Sequence, residues 1–250
     1  MISVCMATYN GAEYIQAQLD SILTQLGAED EVIITDDCST DNTVSILRAM
    51  GDARVRLYVN GEQRGVTANF YGALQKAKGD YIFLSDQDDI WLPDKVKRNL
   101  ELLQEYDLVV SDAEVTDASL HPIAPSLFAL IGSREGLWKN WLACSFYGSC
   151  MAFRREVLLA AMPFPQAVYI AHDWWIGMVA ECMYRVVFVN ELLQLYRRHN
   201  DTVTRINQGY FLTRSQRPFR VKIAARWQMA WNLVQHMLMF KKNEKNTTYQ

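Results

Sequence analysis

Three carboxylates stand within four residues at Asp86-Gln87-Asp88-Asp89. Packed so closely, they repel one another, and a divalent cation would offset the repulsion. Mg²⁺ or Mn²⁺ takes one or two carboxylates and completes its shell with substrate phosphate oxygens. A solvated acidic turn that caps the next helix is the plainer reading of the same residues. Asp36-Asp37 is a second acidic pair. A carboxylate buried at a rim can accept the imide N–H of uracil or thymine, while Asp36, Ser39 or Asp41 can cap a helix. Both roles fit, because several acids are available. Thr8-Tyr9-Asn10-Gly11 offers backbone N–H groups and a ring that could line a base or diphosphate site, or it is an ordinary turn.

Two more clusters lie far along the chain. In His172-Asp173-Trp174-Trp175 a carboxylate stands beside aromatic rings. Poor solvation there suits a general base, and tryptophans suit stacking on a sugar face. An Asp at a helix start with core tryptophans would look the same. Tyr196-Arg197-Arg198-His199 supplies cationic and imidazole groups for a diphosphate or a metal, or forms a solvated basic loop. No GxGxxG or GxxxxGK[ST] run occurs, so dinucleotide and P-loop readings lose support.

The elements that must position these residues alternate. Ile2–Met6 reads as a buried strand, and Ile15, Leu19, Ile22, Leu23 and Leu26 give Ala12–Leu26 helical spacing. Glu31–Thr35 is a second strand, followed by a helix carrying Val44, Ile46, Leu47 and Met50. Val55–Val59, Tyr81–Ser85 and Leu108–Ser111 read as further strands, with helices over Thr67–Ala77 and after Pro93-Asp94. Such alternation predicts an α/β fold with a mostly parallel sheet and helices on both faces. Ligands on such sheets bind beyond the carboxyl ends of the strands. That rule selects Thr8–Asn10, Asp36-Asp37 and Asp86–Asp89. Beyond residue 112 the alternation weakens. A loop with Pro122 and Pro125 leads into an aromatic stretch from Trp138 to Phe153. Helices are expected from Arg154, over Asp173–Met183 and over Phe219–Phe240, with a strand at Val186–Val189.

At 250 residues the chain fits one large domain and a small appendage. Its net charge of −3 is uneven. Arg205 to Lys245 holds nine Lys/Arg and one acidic residue, net +8, against −11 for the remainder. Five scattered cysteines contain no CxxC pair, which fits a reducing cytoplasm and no zinc site. The first residues read as a strand and not a signal peptide. No stretch reaches the roughly 18 uninterrupted apolar residues of a spanning helix. Phe219, Ile223, Trp227, Trp231, Val234 and Leu238 recur at helical spacing among Arg220, Lys222 and Arg226, ahead of Lys241-Lys242. This stripe either docks on a membrane or packs on the domain or a second subunit.

Taken in order, the motifs resemble family 2 glycosyltransferases of the GT-A fold over residues 1–205. The likeness runs through Val4–Asn10, Asp36–Thr43, Arg64–Asn69 and Asp86–Trp91. It continues through Gly148-Ser149, Met151–Arg155, His172–Trp175 and Tyr196–His199. The resemblance implies a nucleotide-sugar half over about 1–112, an acceptor half over about 113–205, and a basic helical extension over 206–250. It implies that Asp37 binds the nucleobase and that Thr8, Tyr9, Asn10 and Asn69 line the donor site. Asp86 would contact ribose, Asp88 would hold Mn²⁺ or Mg²⁺, and His199 would be a further metal or diphosphate contact. Asp173 would be the catalytic base, with Trp174 and Trp175 toward the acceptor. The family often has Glu-Asp where this chain has His172-Asp173. The Gln-x-x-Arg-Trp signature of processive synthases is absent, since Ile223 and not Gln precedes Arg226-Trp227.

Asp86–Trp91 and His172–Trp175 look most like rhamnosyltransferase-type members of bacterial O-antigen or capsule assembly. The implied reaction is inverting transfer from dTDP-rhamnose or a UDP-hexose to a glycan or lipid-linked acceptor. A cytoplasmic, peripherally membrane-bound protein is expected, with no nucleic acid partner. Two rivals are a sugar-nucleotide pyrophosphorylase and a carbohydrate-binding relative without catalysis. The first needs a Gly-rich, Arg/Lys-bearing loop after the first strand, and Asn10-Gly11-Ala12-Glu13 is not one. Retention of Asp88 and Asp173 argues against the second.

Overall fold

In the first part of the computed structural model, strands and helices alternate. β1 (Ile2–Thr8), α1 (Ile15–Leu23), β2 (Glu31–Asp36), α2 (Thr43–Ala49), β3 (Val55–Val59), α3 (Val66–Leu74) and β4 (Tyr81–Ser85) follow in turn. Next come β5 (Ile90–Trp91), α4 (Lys95–Leu102), β6 (Leu108–Thr116), β7 (Pro122–Ala124), α5 (Leu127–Ile131) and α6 (Leu137–Leu142). A 3-10 turn at Gly148–Cys150 leads into β8 (Met151–Arg154) and α7 (Arg155–Ala161). The chain ends in α8 (His172–Met183), β9 (Val186–Arg197) and α9 (Phe219–Thr247). The structure describes residues 1–167, 169–199 and 218–247. Arg205, Arg214 and Arg217 of the expected basic extension lie outside them.

The strands form one sheet in the order β3-β2-β1-β4-β8-β6-β9-β5, with β7 paired to β6. β1 runs parallel to β2 and β4, β2 to β3, and β6 to β9. β8 is antiparallel to both of its neighbours, β4 and β6. Two reversals cancel, so β6 and β9 point the same way as β4. The ends of β1, β2, β4, β6 and β9, together with the start of β8, therefore share one edge of the sheet. That edge receives the chemistry-bearing residues.

Side chains alternate across the strands and feed two cores. Cys5 of β1 joins Ile33, Phe70, Leu74 and Leu84 on one face. Val4 and Met6 join Ile15, Leu19, Ile22, Val32 and Ile34 on the other. α1 is helical because Ile15, Leu19 and Ile22 recur on one side and are wholly buried. Each such side chain stabilises the fold by about 1.5–3 kcal/mol.

Several elements differ from expectation. α1 begins three residues late, because Gly11 to Tyr14 form a turn in which Tyr14 and Ile15 donate to the Gly11 carbonyl at 3.1 and 3.0 Å. β5, β7 and β8 hold only two to four residues, too few to show a period. β9 continues far beyond Val189 to Arg197. Asn190 and Glu191 interrupt its apolar pattern, and the pairing with β6 slips in register near there, after Ser111.

α9 packs on the domain through Ala225, Met229, Leu233 and His236, which are buried. The His236 ring meets Trp175 edge-on at 5.2 Å. Trp141 Nε1 of α6 donates to the Arg226 carbonyl at 3.0 Å. The stripe Phe219, Ile223, Trp227, Trp231, Val234 and Leu238 lies on the other side and is exposed. Packing of that stripe on the catalytic domain, one expected alternative, is thereby corrected: Ala225, Met229, Leu233 and His236, each two positions after a stripe residue and so on the opposite side of the helix, take the buried face. Among the described residues no helix is long and apolar enough to cross a membrane.

Candidate active site

The first wall of the edge is built by β1 and β2. Thr8 Oγ1 donates to Asp36 Oδ2 at 2.8 Å. Asp36 also accepts from Ser39 N–H at 2.8 Å and from Ser39 Oγ at 2.6 Å. It is wholly buried, so of the two adjacent acids it is the one that organises the turn. Asp37 turns the other way. Its carboxylate accepts from the N–H groups of Arg64 at 2.8 Å and Gly65 at 2.8 Å, and from Asn60 Nδ2 at 3.1 Å. A carboxylate has about four acceptor sites, so Asp37 keeps capacity for one more donor while holding the 60–65 loop.

Asn10 takes a left-handed conformation (φ 49°), and its Oδ1 accepts from Thr40 N–H at 2.8 Å. Asn is among the few non-glycine residues that tolerate this region. Tyr9 leaves its ring exposed and pairs its backbone with Gln87. Asn69 is directed inward. Its amide donates to the Thr35 carbonyl at 2.8 Å and the Thr8 carbonyl at 3.2 Å, so it joins the ends of β1 and β2.

The three clustered carboxylates have three different surroundings. Asp89 is fully buried and accepts from Arg197 N–H at 3.0 Å and Gln194 Nε2 at 3.3 Å. Asp86 is partly buried, and burial with the charges of Asp89, Asp88 and Asp173 pushes its carboxyl well above the usual range. Asp88 meets His199, with Nε2 2.8 Å from Oδ2. The ring of Tyr14 packs on that imidazole at 4.7 Å between centroids. Among the described residues no three His, Cys, Asp or Glu side chains cluster as metal ligands. One carboxylate and one imidazole nevertheless suit a cation that completes its shell with phosphate oxygens and water.

Arg197 is buried, and its contacts match neither the diphosphate contact nor the solvated basic loop that its motif offered. Its guanidinium donates to the carbonyls of Asp88 and Ala118, each at 2.6 Å, and so staples the acidic loop to β9. Arg198 donates to the Tyr196 hydroxyl at 3.4 Å.

Asp173 lies in the first turn of α8, partly exposed. A Cβ on Gly148 would stand 3.7 Å from both Asp173 Cβ and Leu84 Cδ1, so Asp173 lies beside the end of β4 that leads into the acidic loop. Trp174 and Trp175 present no sugar platform. Both are buried, and their indole N–H groups donate to the carbonyls of Asn140 at 2.9 Å and Ala161 at 2.8 Å. A buried indole must find a partner, and these partners are backbone. His172 stacks on Phe70 at 4.0 Å between centroids, and neither ring nitrogen has a hydrogen-bond partner among the described residues. Burial holds its pKa below the ordinary value, against the opposing charge of Asp173.

Sequence reading missed a buried cation. Lys95 is 1% exposed, donates to the Ser149 carbonyl at 2.8 Å and to Gln194 Oε1, and lies over the Trp91 ring at 4.7 Å. Gln194 passes the contact on to Asp89 and Ser149 Oγ. Burial pushes Lys95 down and Asp89 up. Lysine is rarely buried unless paired, and nothing in Pro93-Asp94-Lys95 signals it. Gln87 was also missed.

Known proteins resemble this chain in sequence and in fold. The sequence profile of Glycosyl transferase family 2 matches residues 3–160. The "Putative teichuronic acid biosynthesis glycosyltransferase TuaG" of Bacillus subtilis is 33% identical over 132 residues, 48% of this chain and 52% of TuaG. The "dTDP-rhamnosyl transferase RfbG" of Shigella flexneri is 40% identical over 106 residues, 39% of this chain and 36% of RfbG. The chain thus spans about a third to a half of the length of these two relatives. Residues 1-349 of S. aureus TarS, solved with UDP-GlcNAc, superpose with a TM-score of 0.65 at 19% identity, covering 80% of this chain and 59% of that TarS chain. The mannosyltransferase PcManGT of Pyrobaculum calidifontis, solved with GDP-Man and Mn²⁺, gives 0.59 at 22% identity, covering 84% and 58%. These neighbours share the mixed, mostly parallel GT-A sheet, and the chain belongs to Glycosyl transferase family 2.

Proposed function

We propose that this chain transfers a sugar, with inversion, from a nucleoside diphosphate donor to a hydroxyl of a glycan or lipid-linked acceptor in bacterial cell-surface polysaccharide assembly. One observation carries the reading: Asp86 and Asp88 from the end of β4, His199 from the end of β9 and Asp173 from the start of α8 converge on one edge. TuaG and RfbG, named for teichuronic acid biosynthesis and dTDP-rhamnosyl transfer, support the class. The donor is dTDP-rhamnose or a UDP-hexose.

In this reading the nucleobase lies by Thr8 and Tyr9, with Asp37 accepting its imide N–H and Asn10 shaping the turn. Asn69 holds that pocket from below. Asp86 accepts from a ribose hydroxyl. Asp88 and His199 would hold Mn²⁺ or Mg²⁺, which when bound supplies positive charge for the leaving diphosphate. Asp173 removes the acceptor hydroxyl proton as that oxygen attacks the anomeric carbon from the face opposite the leaving group. The bond from the anomeric carbon to the diphosphate oxygen breaks, and its electron pair leaves with the nucleoside diphosphate. The acceptor proton ends on Asp173. The chain works in the cytoplasm, against the inner face of the membrane that carries the acceptor.

A panel of nucleotide sugars tests the proposal. Thermal stabilisation by one nucleoside diphosphate with Mn²⁺ is expected, and NMR of the product should show an inverted anomeric centre. Retained configuration, or no response to any nucleoside diphosphate, would overturn it.

A further inference from the structure

We infer that the outer face of α9, continued by the tip of α6, is a docking surface for an anionic lipid bilayer. Along α9, Phe219, Ile223, Trp227, Trp231, Val234 and Leu238 are between 40% and 76% exposed. They recur every three or four residues, so they form one ridge on the side away from the domain. Trp138 of α6 is 74% exposed and Leu142 is 56% exposed. Arg226 of α9 donates to the Leu142 carbonyl, which fixes the two helices together and makes one patch of both sets. A monomeric protein rarely leaves so many large apolar side chains together in water.

Charge selects the occupant. No Asp or Glu occurs between Arg205 and Glu244, although the rest of the chain is strongly acidic. Arg220 is exposed at the start of the ridge, Lys222 is half-buried one half-turn round the helix from it, and Lys241-Lys242 follow the ridge's end in sequence. A second copy of the same face would bring these cations against one another. A bilayer with anionic headgroups would attract them, with the effect concentrated near the surface. Composition agrees, since three exposed tryptophans suit the boundary between headgroups and acyl chains. The helix is also held rigidly, with Ala225, Met229 and Leu233 seated in the core, so docking needs no refolding.

The surface has a definite relation to the candidate site. α8 begins with the turn that carries Asp173, and both α6 and α9 rest on it. Docking through α6 and α9 would thus hold the acceptor side of the site against the bilayer. This use rests on the proposed lipid-linked acceptor. Docking itself does not depend on it.

Co-sedimentation of the full chain with phosphatidylglycerol/phosphatidylcholine vesicles, against pure phosphatidylcholine, tests the surface without donor or acceptor. Binding to the anionic vesicles is expected, weakened by salt and lowered about tenfold or more by Trp227→Ser with Trp231→Ser. Arg220→Glu with Lys222→Glu should remove the preference for anionic lipid. All four side chains lie at or near the surface, and unchanged thermal melting would show that the variants fold. No binding by the full chain, or binding unchanged in the double tryptophan variant, overturns the inference. A dimer in light scattering that the tryptophan variant abolishes, with no vesicle binding, would assign the face to a second copy and also overturn it. Nucleotide-sugar hydrolysis measured in parallel separates the readings, because its loss with vesicle binding intact would count against the transfer chemistry alone.

Discussion

Gln87 and Tyr9 form a reciprocal pair across 78 residues: Tyr9 N–H donates to Gln87 Oε1 at 2.9 Å, and Gln87 Nε2 donates to the Tyr9 carbonyl at 3.0 Å. The pair clamps the loop after β1 to the acidic loop after β4. Gly11 makes it possible, because a Cβ there would stand 2.3 Å from Gln87 Oε1. Gly11→Ala should displace the end of the glutamine side chain and leave the fold intact. The expected result is a fall of about ten- to a hundredfold in kcat/KM, with little change in melting temperature. Steady-state kinetics beside a thermal scan would show whether the clamp matters.

Asp88→Asn and His199→Ala each remove one of the two groups that would hold the cation. Either should abolish the extra stabilisation that Mn²⁺ gives with a nucleoside diphosphate. Transfer should fall by about two orders of magnitude or more. EDTA should reproduce this on the unmodified chain. Undiminished turnover in EDTA would remove the cation from the mechanism.

Asp173→Asn keeps shape and hydrogen-bonding reach but accepts no proton near neutral pH. Turnover should drop by about 10²–10⁴-fold, while donor affinity measured by calorimetry stays nearly constant. A rate close to that of the unmodified chain would leave Asp173 as a helix-start residue only.

Lys95→Met should destabilise the protein by about 1–3 kcal/mol, because it leaves the Ser149 carbonyl and Gln194 Oε1 without their donor and removes the buried cation near Asp89. Asp89→Asn in the same background should recover part of the loss. A double-mutant cycle by urea denaturation would measure the coupling. Strict additivity would show that Lys95 and Asp89 act independently.

Arg54 holds Asp52 with Nε at 3.0 Å and a second guanidinium nitrogen at 2.7 Å, which lowers the carboxyl to about 2. The folded pKa lies below the unfolded value of about 3.9. The contribution is therefore fully present above about pH 4 and is lost as pH falls towards 2. After solvent screening it amounts to about 1 kcal/mol. Asp52→Asn should cost that much at pH 7, and the gap should close between pH 4 and pH 2 in denaturant titrations.

The first half of the fold was legible because its strands are long, apolar and separated by amphipathic helices. Thr8, Asp37, Asp86 and Asp88 follow such strands, so the parallel-sheet rule alone places them at one edge. The second half resisted because β5, β7 and β8 have no period to read and β9 breaks its pattern at Asn190-Glu191. Side-chain direction was least legible. Asp36 and Asp37 are neighbours of one type, yet one faces Thr8 and Ser39 and the other faces the 60–65 loop. Asp88 and Asp89 divide in the same way. Trp174 and Trp175 looked suited to sugar and proved to be core, because a helix in contact with α6 and α7 hides both. His199 found its partner only through strand pairing that no local pattern encodes.

Among the described residues β5 hydrogen-bonds to β9 and to no other strand, so the far flank of the acidic loop is fixed by chain made about a hundred residues later. During synthesis, residues 1–112 can emerge and pair β1 to β4 while Asp88 still lacks His199 and Asp89 still lacks Arg197. Contacts of such long sequence separation form late. The edge is thus complete only when β9 inserts between β6 and β5, and a truncated or stalled chain presents the loops after β1, β2 and β4 without the partners that β9 brings.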